Sequence, residues 1–269
     1  MRLPLPALLA LLASLTLASA AHAEDQEWVL KLKKEAQNIS ISIGGNSLYG
    51  SGKERTRGSG KVVELARSVG AFSRVRVDGP IDVRIAMASG DAAVRVRADD
   101  NVEPLITTRV DGDTLVVGLK EGAAFMVKEP VRVLVDARQL QSLQLRGSGD
   151  AELETLKTDR FSVDLSGSGD LHIGLLEAKD FQARLSGSGD LRMAGRADQQ
   201  DWDLSGSGDA SASSLTGSKV RARLSGSGDL ALGVCQELDA QLSGSGDLRY
   251  AGRPTVKSQV SGSGELLRR

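Results

Sequence analysis

The sequence LSGSGDL at residues 165–171 occurs again at 185–191 and at 224–230, and close variants occur elsewhere in the chain. Each copy ends its Gly-Ser-Gly unit with an acidic residue, and successive acids are 18 to 20 residues apart. The seven acids are Asp150, Asp170, Asp190, Asp209, Asp229, Asp247 and Glu265. A near-constant period of this length is typical of a β-solenoid, in which each repeat forms one coil that stacks on its neighbour.

The residues between the Gly-Ser-Gly units alternate between apolar and polar, as half-buried strands require. We expect the apolar positions to point inward and to form ladders from coil to coil. We call each Gly-Ser-Gly-acid unit a corner. The apolar positions before the corners are Val163, Leu165, Ala183, Leu185, Trp202, Leu204, Ala222, Leu224, Ala240 and Leu242. Those after the corners include Leu171, Ile173, Leu191, Met193, Leu230, Leu232, Leu248 and Tyr250. Helical spacing fits none of these segments, so the sequence predicts an all-β parallel β-helix with coils of 18–20 residues.

The polar positions favour the same register. One column reads Asp164, Arg184, Asp203, Arg223 and Gln241 from coil to coil, and a second reads Asp201, Arg221, Asp239 and Lys257. Both columns alternate in charge, which suits strands stacked ~4.8 Å apart. We interpret them as a solvated, self-paired face and expect no ligand there.

The part of the chain before the regular repeats carries a weaker form of the pattern. VRVDGPIDVRI at 75–85 aligns with ARLSGSGDLRM at 183–193, which places Asp82 on Asp190. The 68 residues from Asp82 to Asp150 correspond to between three and four coils, and DGD at 111–113 predicts a turn between two strands. We therefore expect irregular coils up to about residue 146 and regular Gly-Ser-Gly-Asp coils from residue 147.

The start of the chain predicts export. Residues 1–23 combine one early Arg, an apolar run and the small-residue pattern Ala-His-Ala, which is typical of a signal peptide cleaved after Ala23. Residues 24–60 are rich in Gly, Ser and charge, and we expect a flexible leader there. The β-helix domain would then cover residues 61–269.

The composition excludes several classes of protein. Lys and Arg number 34 against 35 Asp and Glu, so there is no basic surface for nucleic acid. A single cysteine, Cys235, rules out an intramolecular disulfide, and we expect it to be a small buried residue rather than a reactive thiol. The mature chain has no apolar stretch of membrane-spanning length.

Three segments in this order resemble the head GIN domain of putative auto-transporter adhesins. They are RSVGAFSRVRVDGPIDVRI at 67–85, VRADDNVEPLITTRVDGDTLVV at 96–117, and the L-x-L-S-G-S-G-D coils, so that the resemblance covers residues 67–265. It implies a right-handed β-helix in an exported bacterial protein, without an established biochemical activity. The sequence closes on LLRR and leaves no room for a translocator barrel, so we do not expect self-transport.

The repeated glycines predict structural corners. Glycine enters positive φ without steric cost, and Ser and Asp can pair with backbone amides that a sharp turn leaves unpaired. The corner glycines are Gly167, Gly169, Gly187, Gly189, Gly206, Gly208, Gly226, Gly228, Gly244 and Gly246.

The seven corner acids would stack in one column of like charge. Two carboxylates ~4.8 Å apart repel by ~0.9 kcal/mol at the dielectric constant of water. Hydrogen bonds from Ser hydroxyls and corner amides, the side chains of Arg192 and Arg249, or bound cations could each offset this repulsion. Calcium is the first candidate cation, although the RTX calcium-binding pattern has a different spacing.

The sequence predicts no catalytic residue and no cofactor. His172, the one histidine after the signal peptide, falls on an outward position, and no serine-elbow, metalloprotease or phosphate-loop motif occurs. Trp202 and Tyr250 fall on inward positions, which leaves few aromatic side chains for sugar stacking. A glycan-acting β-helix enzyme remains an alternative, because β-helices also carry carbohydrate-cleaving sites.

Together these features favour a non-enzymatic exported scaffold or adhesin-like binding module of the bacterial envelope, in the periplasm or on the cell surface. Its partner would be an envelope or cell-surface component. Self-association is a further hypothesis, because the last coil, QVSGSGELL at 259–267, exposes a strand edge that only Arg268 and Arg269 protect.

Overall fold

The computed structural model describes residues 55–269. The N-terminal strands are β1 (Arg55–Arg57), β2 (Val62–Arg67), β3 (Arg74–Asp78), β4 (Asp82–Met87), β5 (Ala93–Asp99), β6 (Ile106–Asp111), β7 (Thr114–Leu119), β8 (Ala124–Met126) and β9 (Arg132–Ala137). A short 3₁₀ helix, Glu103–Leu105, separates β5 from β6.

The repeat region contributes eleven more strands. They are β10 (Ser142–Arg146), β11 (Ala151–Leu165), β12 (Leu171–Leu185), β13 (Leu191–Leu204), β14 (Ala210–Thr216), β15 (Lys219–Leu224), β16 (Leu230–Val234), β17 (Glu237–Leu242), β18 (Leu248–Ala251), β19 (Thr255–Val260) and β20 (Leu266–Arg268). Across residues 55–269, no helix is long and apolar enough to cross a membrane.

The repeat region is a stack of parallel strands. Each strand from β10 to β20 pairs in parallel with the strand one coil away, and equivalent residues of successive repeats face each other. Leu185, for example, faces Leu165 on one side and Leu204 on the other. The result is a β-solenoid of about six turns, which confirms the predicted fold class. Its right-handedness stays a prediction.

The predicted inward residues form a continuous core. The ladder leucines Leu165, Leu185, Leu204, Leu224 and Leu242 are at most 2% exposed. The rings of Phe161 and Phe181 stack with their centroids 6.1 Å apart, and Trp202 meets Phe181 edge-on at 5.3 Å. Burying one such Leu contributes roughly 1.5–3 kcal/mol, but each coil obtains this burial only from its neighbours.

The outward columns also have the predicted register. Arg184 faces Asp164 on one side and Asp203 on the other. The ion pairs include diagonal ones, since the guanidinium of Arg223 lies 3.3 Å from Asp201. Exposed pairs of this kind contribute about 1 kcal/mol or less, so the columns fix the register more than they stabilise the fold.

The N-terminal part begins as a coil of the same stack. Val75 in β3 faces Leu143 in β10, and Val83 in β4 faces Ala151 in β11. The corner at residues 78–82 is therefore next to the corner at 146–150, although many residues separate them along the chain. The predicted alignment of Asp82 with the corner acids is confirmed.

The remaining strands of this part do not continue as simple coils. β7 and β9 pair in parallel with β3 and β4, but β6 runs antiparallel to β7, β5 to β9 and β2 to β5. The irregular coils expected here are thus replaced in part by antiparallel strands. One cause is the predicted turn at 111–113, where Gly112 has a φ of +62° and joins β6 and β7 as a hairpin.

The end of the predicted leader is also part of the fold. β1 pairs in parallel with β8, and the amide of Gly58 donates to the carbonyl of Met126 at 2.8 Å. Residues 55–60 are therefore ordered rather than a flexible leader. The predicted signal peptide at 1–23 and the leader from 24 to 54 lie outside the described residues.

Candidate functional site

The corner glycines are required for a reason other than the expected one. None of the ten predicted corner glycines has a positive φ. A Cβ on Gly187 would instead lie 1.8 Å from the carbonyl oxygen of Gly167, and a Cβ on Gly208 would lie 2.0 Å from that of Gly189. Successive corners therefore approach too closely for any side chain, and glycine is needed for contact between backbones.

The corner acids form a chain of hydrogen bonds from coil to coil. The amide of Asp190 donates to Oδ1 of Asp170 at 2.8 Å, and the amide of Asp209 donates to Oδ1 of Asp190 at 3.0 Å. The same bond, at 2.8–3.1 Å, links every neighbouring pair from Asp82 to Glu265. Each carboxylate from Asp82 to Asp247 thus satisfies a corner amide, and this hydrogen bond favours the charged form against the repulsion along the column.

Two arginines lie over this acid column. The guanidinium of Arg249 is 2.6 Å from Asp229 and 2.9 Å from Asp247, and that of Arg192 is 3.1 Å from Asp190. Both arginines were expected there from their position two residues after an acid. Together with the corner amides, the two guanidinium groups offset the repulsion between neighbouring carboxylates of the column.

Two members of the acid column, Asp229 and Asp82, differ in electrostatics. Partial burial alone would raise the pKa of Asp229, but the amide of Asp247 and the ion pair with Arg249 lower this pKa below its ordinary value. At Asp82, the first acid of the column, stronger burial raises the pKa, and the charge of Asp150 adds to the rise. The hydrogen bond from the amide of Asp150 and the guanidinium of Arg132, 3.9 Å from Asp82, offset this only in part.

The described residues provide no preformed metal centre along the column. Among residues 55–269, no three His, Cys, Asp or Glu side chains are grouped so that they could hold a metal ion. His172 is exposed and faces Glu152 on one side and Arg192 on the other. Calcium binding by the column therefore stays a hypothesis.

Gln200 breaks the apolar ladder inside the stack. It takes the place that Phe181 has in the preceding coil. Its amide nitrogen donates to the carbonyls of Ala197 and Thr216 at 3.2 and 3.3 Å, and its oxygen accepts from the indole nitrogen of Trp202 at 3.1 Å. Since every polar atom of this side chain is paired, we assign Gln200 a structural role.

Cys235 is buried, as the sequence predicted. Burial raises the pKa of its thiol above the ordinary value. Because the thiolate is the nucleophilic form, this environment disfavours a reactive cysteine.

A groove of about 1030 Å³ runs along the outside of the stack. It crosses the stacked strands β3, β10, β11, β12, β13, β15, β17 and β19, and the seven steps of ~4.8 Å between them give a length of ~34 Å. Its floor follows the column Phe161, Phe181, Gln200, Val220 and Leu238, whose side chains are buried in the core. Polar side chains from the positions on either side of this column line the walls.

The half of the groove nearer β10 is mostly uncharged, and we call it the amide half. It is lined by Gln141, Ser142, Ser162, Gln182 and Gln199. The side chains of the three glutamines and of Ser142 make no hydrogen bond to another residue in the described part of the chain. They are therefore available to a ligand.

The half nearer β19 is charged, and we call it the charged half. It is lined by Asp201, Lys219, Arg221, Glu237, Asp239 and Lys257. Acids and bases neutralise each other here, since Lys219 lies 3.5 Å from Glu237 and Arg221 lies 4.0 Å from Asp201. The sequence predicts that the column Asp201, Arg221, Asp239 and Lys257 is a solvated face without a ligand, and it does not indicate the groove. The lining combines side chains from eight strands, and their common surface forms only when the coils are stacked.

The stacked coils, the glycine corners and the acid column define the class of protein, a β-solenoid. The family described as putative auto-transporter adhesin, head GIN domain, matches residues 71–254, and the chain belongs to this family. This confirms the resemblance seen in the sequence.

Several crystal structures have a similar fold. A putative adhesin from Bacteroides fragilis has a TM-score of 0.75 and 22% identity, with 79% of this chain and 99% of that chain covered. A putative lipid binding protein from Parabacteroides distasonis has a TM-score of 0.68 and 20% identity, with 80% and 100% covered. A putative adhesin from Parabacteroides merdae has a TM-score of 0.64 and 20% identity, with 80% and 99% covered. At such identities the likeness concerns the fold alone, and no curated protein matches the chain.

Proposed function

We propose that the chain is an exported, adhesin-like binding module of the bacterial cell envelope that holds its partner in the groove along the stack and does not catalyse a reaction. The observation that carries this proposal is the groove itself. Eight stacked strands contribute to it, so it offers an extended surface rather than a compact pocket. Extended concave surfaces of this kind are how repeat proteins bind long partners.

The groove lining favours binding over catalysis. General acid–base cleavage of a glycan needs two carboxylates whose environments differ. In the groove, Asp180 pairs with Arg160 at 3.3 Å, and Glu237 and Asp201 also have basic partners. Asp239, the fourth acid of the lining, makes no ion pair within 4.0 Å in residues 55–269, but it faces Arg221 on one side and Lys257 on the other. These acids follow the repeat instead of breaking it, and this supports a binding role over the alternative of a glycan-acting enzyme.

A polar partner fits the groove better than a lipid does. One of the similar crystal structures is named a putative lipid binding protein. Lipid sites are lined by apolar side chains. Here the apolar side chains of the floor, Phe161, Phe181, Val220 and Leu238, are at most 4% exposed, and the walls carry amides, hydroxyls and charges.

The test is retention of the full mature chain by an isolated envelope fraction. The change is Ser162→Trp, which places a large ring in the groove at a position that is only half-buried. We expect the wild-type chain to co-sediment with the envelope fraction and the variant to lose at least about five-fold in retention, since the ring fills the space that the partner needs.

The matched control is Ser211→Trp, on an exposed position outside the groove. Equal loss in both variants, or no retention of the wild-type chain, would refute the groove as the binding site. Release of reducing sugar ends from the envelope fraction by the wild-type chain, abolished by Asp180→Asn, would instead support the enzyme.

A further inference from the structure

We propose that the amide half of the groove is a binding site for an uncharged, hydroxyl-rich polysaccharide. This inference rests on the proposed function and names the chemical class of the partner. Three features of the amide half support it: polar side chains without a protein partner, charges that pair with each other, and polar positions that repeat along the stack.

The amide half offers unused hydrogen-bonding groups of both kinds. The side chains of Gln141, Gln182, Gln199 and Ser142 have no partner among the described residues. A Gln side chain supplies two N–H donors and a carbonyl acceptor, and a Ser hydroxyl is both donor and acceptor. A sugar hydroxyl also donates and accepts, so this set is complementary to a chain of hydroxyls.

The charges around this half select against charged polymers. Arg160 and Asp180 pair with each other at 3.3 Å, and Arg74 pairs with Asp113 at 3.4 Å. A polyanion would have to compete for these arginines, while a neutral polymer leaves both pairs intact. In this half, therefore, electrostatics gives a charged ligand no advantage.

The hydroxyl and amide positions follow one another along the stack. Ser142 faces Ser162, and Ser162 faces Gln182, in three successive strands. Gln199 lies on the opposite wall, one coil beyond Asp180. A ligand that itself repeats can bind all of these positions at once, and many weak hydrogen bonds then add up to useful affinity.

The lining has no exposed aromatic ring, and this sets the expected strength. Phe161 and Phe181 are at most 2% exposed beneath the floor, so no sugar ring can stack on them. Single sugars and short oligosaccharides should therefore bind weakly, and only long chains should be retained.

The experiment is affinity electrophoresis of the full mature chain in native gels that contain a soluble polysaccharide. The neutral probes are dextran, mannan and xyloglucan, and the polyanionic probe is alginate. We expect at least one neutral polymer to retard the chain, and the retardation to persist in high salt, because screening does not weaken contacts between neutral groups. In the double variant Gln182→Ala with Gln199→Ala, the dissociation constant should rise at least five-fold.

The matched control is Gln241→Ala with Gln259→Ala. It removes the same two amides from exposed, neighbouring positions outside the groove. Retardation by alginate alone, equal loss in both double variants, or no retardation by any neutral polymer would each overturn the inference. If the envelope fraction still retains the wild-type chain and Ser162→Trp still abolishes this, the proposed function survives without its ligand class; if both assays fail, both proposals fall.

Discussion

The regular stack and the N-terminal part use the same residue for opposite reasons. In the stack, Gly208 has no positive φ, and it is glycine because the carbonyl of Gly189 would lie 2.0 Å from a Cβ. In the N-terminal part, Gly112 has a φ of +62° and open space around it. Close backbone approach is thus the rule where coils repeat, and left-handed backbone is the rule where the chain reverses direction.

The acid column shows a second difference between the two regions. Asp82, in the N-terminal part, is more deeply buried, and its charge is disfavoured. Asp229, in the stack, has an arginine and an amide that favour its charge. Both carboxylates accept the same kind of hydrogen bond, but ionisation is disfavoured by the surroundings of Asp82 and favoured by those of Asp229.

The largest expected effect concerns the glycines. Gly208→Ala should destabilise the fold by at least about 3 kcal/mol, because the methyl group overpacks a rigid backbone contact. Gly112→Ala should cost about 1 kcal/mol, because only left-handed strain is added. The free energy of unfolding from urea denaturation measures both.

Asparagine separates the two causes. It tolerates left-handed backbone, so Gly112→Asn should be milder than Gly112→Ala, whereas Gly208→Asn should be at least as damaging as Gly208→Ala. Rescue by asparagine at both positions would contradict the comparison.

The carboxylates should respond oppositely to loss of charge. Asp229→Asn should cost roughly 1 kcal/mol at neutral pH, a modest value because water screens a partly exposed pair. Asp82→Asn should leave stability unchanged or raise it, because the amide oxygen still accepts the hydrogen bond while the disfavoured charge is gone.

The pH dependence of unfolding checks the sign. With its lowered pKa, Asp229 contributes stability above the ordinary value of about 4, and this is lost as the pH falls through the lowered pKa. Asp82 has a raised pKa, so its ionisation costs stability, and protonation regains it as the pH falls through that pKa. If the free energies of unfolding of the two asparagine variants changed in the same direction relative to the wild type across pH 2–7, the column would be electrostatically uniform and the comparison would be wrong.

The ends of the stack predict a smaller effect. Antiparallel strands cover the N-terminal side, while in residues 55–269 no strand pairs with the outer edge of β19, where Val256 is 37% and Val260 is 47% exposed. We expect weak self-association in sedimentation at high concentration, reduced by Val260→Lys and unaffected by Leu175→Lys at an exposed site on β12. A strict monomer would remove this hypothesis.

The smallest expected effect is that of calcium on the thermal midpoint. Every column carboxylate except that of Glu265 already accepts a hydrogen bond from a corner amide, so millimolar calcium should move the midpoint by less than about 1 °C. A rise of many degrees that Asp190→Asn with Asp209→Asn abolishes would turn the acid column into an ion site.

Most of the stack could be predicted from the sequence. The period, the leucine ladder and the charge columns each repeat at every coil. A register that is ambiguous in one coil is therefore determined by the other coils. The pairing of the strands between Asp82 and Asp150 could not be predicted in the same way. A strand that stacks in parallel and a strand that folds back antiparallel show the same alternation, and only pairing partners distant in sequence separate them.

The sequence by itself determined the coil, the inward residues, the stacking of the acids and the family. It also placed Arg192 and Arg249 over the acid column, because their offset of two residues puts them on the same face of a strand. Only the tertiary structure decided why the corners are glycine, which way the N-terminal strands run and where the groove lies. These depend on distances between coils and on which strands pair, and both arise only when residues far apart in sequence are brought together.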